Sequence, residues 1–117
     1  MPVIKITTNM KVDKDVKAAV SAGMVRSVQK EEEFVSHNIL FSFQDDVWLE
    51  FRENHEDVAM LVEFHPGPMT PVSDYKAIVD DFFEVFQEYL PEIDPGRIYV
   101  TVSQIDHWGW NGGLLGG

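Results

Sequence analysis

The residue with the clearest chemical potential is Pro2, which directly precedes the alternating apolar segment Val3–Thr7. If the initiator methionine is removed, Pro2 carries a free secondary amine, whereas the nitrogen of every internal proline belongs to a tertiary amide. A secondary amine at the start of a strand can act as a base or as a nucleophile. We therefore treat Pro2 as a candidate catalytic base; the alternative is that Met-Pro is an ordinary chain start.

Other common catalytic groups are few. The sequence contains no cysteine, which rules out a thiol nucleophile, a disulfide or a thiolate metal site within these 117 residues. His37, His55, His65 and His107 lie far apart and show no spacing typical of a metal site. We therefore predict neither a bound metal nor a cofactor.

The overall charge limits the kinds of partner. Twenty acidic and nine basic residues give a formal net charge of −11. Nucleic acids and anionic membranes require a basic surface, so neither is expected as a partner. No apolar run approaches the roughly 20 residues of a membrane span, and no signal-peptide pattern is present. These features predict a cytoplasmic protein with a single domain over residues 1–117.

The first half of the chain contains the elements that would position Pro2. Alternation predicts a strand over residues 2–8, and helical spacing predicts a helix from Lys14 to about Lys30. Gly23 within this helix suggests close packing on a sheet. Two further strands are predicted, over 38–43 and over 47–51, and they are separated by a polar turn. In the second of them, Val47, Leu49 and Phe51 are predicted to share one face.

The second half repeats the pattern. Residues 58–64 are almost continuously apolar, which predicts a strand buried on both faces. Helices on one side cannot cover both faces, so the second face is predicted to meet another subunit. A helix over 72–90, a strand over 97–103 and a terminal ribbon over 108–115 follow. This order predicts an α+β fold, in which two β-α-β units form a four-stranded sheet with two helices on one face.

Four sequence features occur in an order that is typical of one family. Met1-Pro2 leads into the first strand, and Glu63-Phe64-His65-Pro66-Gly67 precedes the second helix. The last strand begins in Asp94-Pro95-Gly96-Arg97-Ile98-Tyr99-Val100, and the ribbon contains Gly109-Trp110-Asn111-Gly112. With these features the chain resembles the tautomerase superfamily, specifically its macrophage migration inhibitory factor branch.

The resemblance implies a homotrimer with three active sites at subunit interfaces. It implies that Pro2 is the general base of a keto–enol tautomerase (an isomerase) acting on a small carbonyl compound, such as the arylpyruvate phenylpyruvate. Such a base must take a proton from carbon and return it, so its pKa should lie near neutrality. Burial in an apolar pocket lowers the pKa of an amine towards that range.

The resemblance also implies a set of substrate-binding residues. Tyr99 would come from a neighbouring subunit, and His65 lies near the position whose backbone N–H receives the substrate carboxylate. Thr101 stands where the family has an asparagine. The alternative roles are interface packing for the aromatic residues and capping of a turn for His65. The remaining residues implied for the aromatic pocket are Trp108, Trp110 and Leu115.

The chain departs from the family pattern where a cation is expected. The family has a lysine after the first helix, whereas this chain has Glu31-Glu32-Glu33, with Lys30 the nearest cation. Lys30, Arg52 or Arg97 is therefore predicted to hold a substrate carboxylate, unless the site prefers a neutral substrate or is weakly active.

Three alternative functions remain open. The first is a non-catalytic trimeric binding protein with the tautomerase fold. The second is a related decarboxylase or hydratase that uses the same proline. The third is a monomeric regulatory module with a ferredoxin-like fold.

Overall fold

The computed structural model describes residues 2–31 and 38–115, which form a mixed sheet, two helices and a terminal ribbon. Glu32, Glu33 and His37 lie outside these residues. The elements are β1 (Val3–Thr8), α1 (Lys14–Glu31), β2 (Leu40–Gln44), β3 (Met60–His65), a short 3-10 helix (Val72–Asp74), α2 (Tyr75–Tyr89), a second 3-10 turn (Pro95–Arg97), β4 (Ile98–Val102), β5 (Trp108–Trp110) and β6 (Gly113–Leu115).

The four-stranded sheet has the order β2-β1-β3-β4. Strands β1 and β2 are parallel, as are β3 and β4, while β1 and β3 are antiparallel at the centre. A helix connects each parallel pair, because parallel neighbours need a long crossover connection. The predicted pair of β-α-β units is therefore confirmed, together with the α+β class.

The core lies between the sheet and the helices. Ile4 and Ile6 of β1 are buried, and so is Phe64 of β3, whose ring meets that of Phe82 on α2 edge to face at 5.3 Å. Each large apolar side chain buried in this way contributes about 1.5–3 kcal/mol. The alternation that predicted β1 therefore places its apolar face against the helices.

The opposite face of the sheet is only partly covered. Within β3, burial alternates: Leu61, Glu63 and His65 are half-buried, while the residues between them are buried. The helices of a single chain thus bury only one face of this strand, so the predicted burial of both faces depends on the predicted second subunit. Coverage of the outer face by another subunit stays a prediction.

The strand predicted over 47–51 does not form a ladder. Val47 donates its backbone N–H to the Thr8 carbonyl at 3.2 Å, and Phe51 forms only an isolated bridge to Asn54. The side chains nevertheless alternate, since Val47, Leu49 and Phe51 are half-buried and the two residues between them are exposed. The pattern of the faces was correctly predicted, but the part of the chain that the structure describes supplies no adjacent strand edge for pairing.

Gly23 allows the two helices to approach closely. A Cβ at this position would lie 3.0 Å from Cγ2 of Val85 on α2. The small residue therefore serves helix–helix packing, and the predicted contact with the sheet is wrong. No helix among the described residues is long and apolar enough to cross a bilayer.

Asp45 connects the end of β2 to the start of α1. Its Oδ2 accepts the Val12 N–H at 2.8 Å, and its Oδ1 accepts from Lys17 Nζ at 2.9 Å. Both hydrogen bonds favour the charged form of the Asp45 carboxyl and therefore lower its pKa, and the bond from Val12 has the larger effect. The carboxylate thereby holds two loops of the first β-α-β unit together.

Candidate functional site

Pro2 lies in a cleft of about 360 Å³ between the start of β1, the segment before β2 and the terminal ribbon. Pro2 itself is buried. Two tryptophans give the cleft an aromatic wall, and no charged residue contributes to its lining among the described residues. The lining residues are Pro2, Val3, Asn38, Ile39, Leu40, Trp108, Gly109 and Trp110.

The backbone of Pro2 is fixed on its carbonyl side. The Pro2 carbonyl accepts a hydrogen bond from the Leu40 N–H at 3.1 Å, which extends the β1–β2 pairing by one residue. The next residue, Val3, pairs with Leu40 on one side and with His65 on the other. The sheet therefore determines where the proline ring lies, and the ring nitrogen needs no hydrogen for this arrangement.

The terminal ribbon brings the tryptophans to Pro2. Asn111 and Gly112 form its turn with φ angles of 51° and 83°, the left-handed values that a tight two-residue hairpin requires. Trp108 is half-buried and Trp110 is 49% exposed, so a planar ligand can reach the indole rings. In the backbone register Leu115 lies opposite Trp108.

His65 and Thr101 do not line this cleft. His65 is the last residue of β3, one strand from Pro2, and its Nδ1 lies 3.2 Å from the Ser103 carbonyl oxygen. Thr101 is exposed on β4, with its Oγ1 3.4 Å from the Val62 carbonyl oxygen. The implied substrate contacts of both residues stay predictions.

Tyr99 belongs to a second, smaller cleft of about 190 Å³ at the other end of the sheet. Its ring is 57% exposed and meets Phe51 edge to face, with the ring centroids 5.5 Å apart. The lining residues are Leu49, Glu50, Phe51, Ala59, Met60, Leu61, Arg97 and Tyr99.

The register gives the separation of the two clefts. Val3 pairs with His65 on β3, whereas Tyr99 pairs with Leu61 of the same strand. Four residues of β3 correspond to about 13 Å along the sheet, and two strand spacings add about 10 Å across it. Pro2 and Tyr99 of one chain therefore cannot contact the same small substrate.

The three candidate cations are placed differently. Lys30 lies on the helix layer, where its Nζ is 3.7 Å from an Asp81 carboxylate oxygen. Arg97 donates from Nε to the Val58 carbonyl at 2.8 Å and from Nη2 to the Asp57 carbonyl at 3.1 Å, so its guanidinium is largely occupied. Arg52 is exposed and lies over the Phe51 ring at 5.1 Å. None of the three lines the Pro2 cleft.

Several lining residues were not found by sequence reasoning. Asn38, Ile39 and Leu40 border Pro2, although a largely exposed segment at the start of a strand carries no distinctive signal. Phe51 was predicted only as a strand residue on the same face as Val47 and Leu49. Within residues 2–31 and 38–115, no group of three or more potential metal-binding side chains comes together.

Comparisons with known proteins support the fold. No protein-family model matches the sequence, and no curated protein matches it significantly. Among solved structures, MIF2 of Leishmania major is similar with a TM-score of 0.86 and 21% identity, over 98% of this chain and 97% of that one. The macrophage migration inhibitory factor homologue of Prochlorococcus marinus gives a TM-score of 0.76 and 21% identity, over 97% of this chain and 99% of that one.

A third solved structure agrees with these two. The macrophage migration inhibitory factor of Trichinella spiralis gives a TM-score of 0.75 and 19% identity, over 97% of this chain and 99% of that one. The fold of this chain is thus the fold of macrophage migration inhibitory factor homologues, and the resemblance of the sequence motifs to that branch is confirmed at the level of the fold. Many functions can share one fold, so the activity must be argued from the site.

Proposed function

We propose that the protein is a Pro2-dependent keto–enol tautomerase of a small carbonyl compound such as an arylpyruvate, and that it works as a homotrimer. The observation that carries the proposal is the buried Pro2 in a cleft that is walled by Trp108 and Trp110 and has no charged residue in its described lining. A secondary amine in such surroundings is disfavoured in its charged form, which makes it a usable base near neutral pH.

The reaction needs one base and a surface that holds a planar substrate. The Pro2 amine would take a proton from the carbon next to the carbonyl and then give a proton to the carbonyl oxygen, which forms the enol. The indole rings of Trp108 and Trp110 offer apolar contact to the aryl group of the substrate. The Leu40 hydrogen bond keeps the ring of Pro2 in place while the proton moves.

The homotrimer is part of the proposal because, within one chain, the residues implied for the site lie in two separate clefts. Pro2 and Tyr99 lie at opposite ends of the sheet, so a site containing both needs two copies. The outer face of the sheet, with half-buried Leu61 and exposed Tyr99, is where the second copy would pack.

The test is the interconversion of enol and keto phenylpyruvate by the purified protein, with the intact mass recorded. We expect turnover by chains that lack Met1 and a loss of about 100-fold or more in kcat for Pro2→Ala, because general-base catalysis is worth about 10²–10⁴-fold. Pro91→Ala, at the far end of α2, is the matched control. Unchanged turnover in Pro2→Ala would contradict the proposal.

A second candidate function is a trimeric ligand-binding protein without catalysis. It is favoured by the absence of a cation from the described lining of the Pro2 cleft and by the pairing of Lys30 with Asp81. In that case, an aromatic ligand would bind equally well to wild type and to Pro2→Ala, and neither would turn over phenylpyruvate.

A further inference from the structure

We propose that Arg52 of one copy binds the carboxylate of the substrate that reacts at Pro2 of another copy. This inference rests on the proposed function and names the group that selects an anionic substrate. It starts from the Pro2 cleft, whose described lining is uncharged and offers an anion no counter-charge. Burying a carboxylate without a cation or several N–H donors is strongly unfavourable.

Arg52 and Tyr99 lie in the same region of the surface, because both side chains approach the ring of Phe51. The Arg52 guanidinium lies 5.1 Å from the centre of the Phe51 ring, and the Tyr99 ring lies 5.5 Å from it. Any arrangement that brings Tyr99 to the Pro2 cleft of another copy therefore also brings the Phe51 ring near it, together with Arg52 and Arg97, which both lie over that ring. A flat guanidinium matches a carboxylate through two parallel hydrogen bonds.

Of the three candidate cations, Arg52 is the one whose charged group can still bind a ligand. Among the described residues, no hydrogen bond or ion pair engages its guanidinium, whereas Arg97 is held by backbone carbonyls and Lys30 by Asp81. Its side chain is exposed. Glu50 and Arg97 line the same cleft as Tyr99 with opposite charges, so Arg52 would supply the further positive charge that an anion needs there.

The backbone at Arg52 supports a role beyond folding. Phe51 and Asn54 exchange two N–H to carbonyl hydrogen bonds of 3.1 Å, and the two residues between them, Arg52 and Glu53, have φ angles of 54° and 61°. Such a turn strongly prefers asparagine and glycine. A non-glycine residue held in this conformation is strained, and such strain is concentrated at functional positions.

The same turn supplies a matched pair of variants. Arg52→Gly and Glu53→Gly both remove a strained side chain, so both are expected to fold and to resist heat at least as well as wild type. Only Arg52→Gly removes the cation. We expect its KM for phenylpyruvate to rise about 10-fold or more, since a hydrogen bond to a charged group is worth about 1.5–3 kcal/mol. Its KM for the uncharged methyl ester stays at the wild-type value.

The controls separate a binding role from a structural one. Arg52→Lys should recover part of the lost affinity, and Glu53→Gly should leave the KM for phenylpyruvate unchanged or lower. Equal effects of Arg52→Gly on the acid and on the ester, or no effect on either, would overturn the inference.

Mixing two variants tests whether two copies share the site. Pro2→Ala and Arg52→Gly chains are unfolded together and refolded. In a closed ring, random mixing gives about a quarter of the sites an intact Pro2 from one chain and an intact Arg52 from its neighbour. We expect about that fraction of wild-type turnover at low phenylpyruvate. Turnover no higher than the average of the two separate variants would overturn the two-copy arrangement.

A binding measurement distinguishes failure of the inference from failure of the proposed function. Phenylpropionate, which cannot tautomerise, is titrated into wild type and Arg52→Gly while tryptophan fluorescence is followed. Binding that weakens about 10-fold in Arg52→Gly supports the inference even if wild type turns over neither substrate, an outcome that rejects only the tautomerase. Equal binding by both chains, or none by wild type, would overturn the inference.

Discussion

At the residue scale, Asp45 is the carboxylate whose titration the fold alters most clearly among the described acids. It accepts hydrogen bonds from Val12 and Lys17, and its pKa in the folded state lies below the ordinary value of 3.8. A group with a lowered folded-state pKa contributes stability that is present above its unfolded pKa. That stability is lost as the pH falls through the folded-state pKa.

We therefore expect Asp45→Asn to lower the melting temperature at pH 7, because the amide cannot pair with Lys17 as a charge. The difference from wild type should shrink as the pH falls below about 4 and both side chains become neutral. Thermal unfolding followed by circular dichroism between pH 2 and pH 7 would test this. Asp106→Asn is the control, since Asp106 is exposed and its backbone is not left-handed. A difference that grew towards low pH would contradict the assignment.

The chemistry of single residues was easier to predict than their neighbours. Pro2 could be selected from its type and position, and the two tryptophans from the resemblance to the family, and the structure brings all three to one cleft. Ile39 and Leu40 could not, since their contact with the ribbon is tertiary and leaves no local pattern. The strained turn at Arg52 was equally hidden, because Arg-Glu is an unusual sequence for left-handed backbone.

At the element scale, the contact between α1 and α2 depends on one small residue. Alanine generally stabilises a helix by about 1 kcal/mol relative to glycine. At position 23, however, the added methyl group would lie 3.0–3.1 Å from both γ-carbons of Val85, a branched side chain with little freedom to move. Overpacking of this kind costs about 1–3 kcal/mol.

We expect Gly23→Ala to lower the free energy of unfolding by about 1 kcal/mol despite the better helix propensity. Adding Val85→Ala should make room for the methyl group, so the double variant should be more stable than the sum of the single changes predicts. Urea denaturation of the four chains measures this coupling. Ala22→Gly, at an exposed neighbouring site, gives the propensity effect alone. If the two changes in the free energy of unfolding were additive, the close approach of position 23 to Val85 would not affect stability.

The elements could be predicted to different extents for a physical reason. The ribbon was predicted because Asn111-Gly112 specifies its turn locally, and the two helices were predicted from their apolar spacing. Strand pairing is not local, so the sequence predicted the alternation of Val47, Leu49 and Phe51 but not the absence of a partner strand for them. The burial of the outer face of β3 likewise depends on whether another subunit covers it, which the sequence of one strand does not determine.

At the scale of the whole molecule, charge opposes assembly. Each chain carries a formal charge of −11, so three copies together carry −33. Raising the salt concentration from about 0.01 M to 0.1 M shortens the screening length from about 30 Å to about 10 Å. We expect the proposed trimer to dissociate more readily at the lower salt concentration, as measured by light scattering over a dilution series. Tighter association at low salt would mean that attraction between copies outweighs their net repulsion.

The distance between Pro2 and Tyr99 within one chain also has a consequence for inheritance. If each site takes Pro2 from one copy and Tyr99 from another, a chain that lacks both residues damages the sites of its intact neighbours as well. A cell that makes equal amounts of intact and defective chains would then keep about a quarter of its working sites, instead of about half. Such a mutation would behave as partly dominant, and its effect would be larger than that of deleting one gene copy.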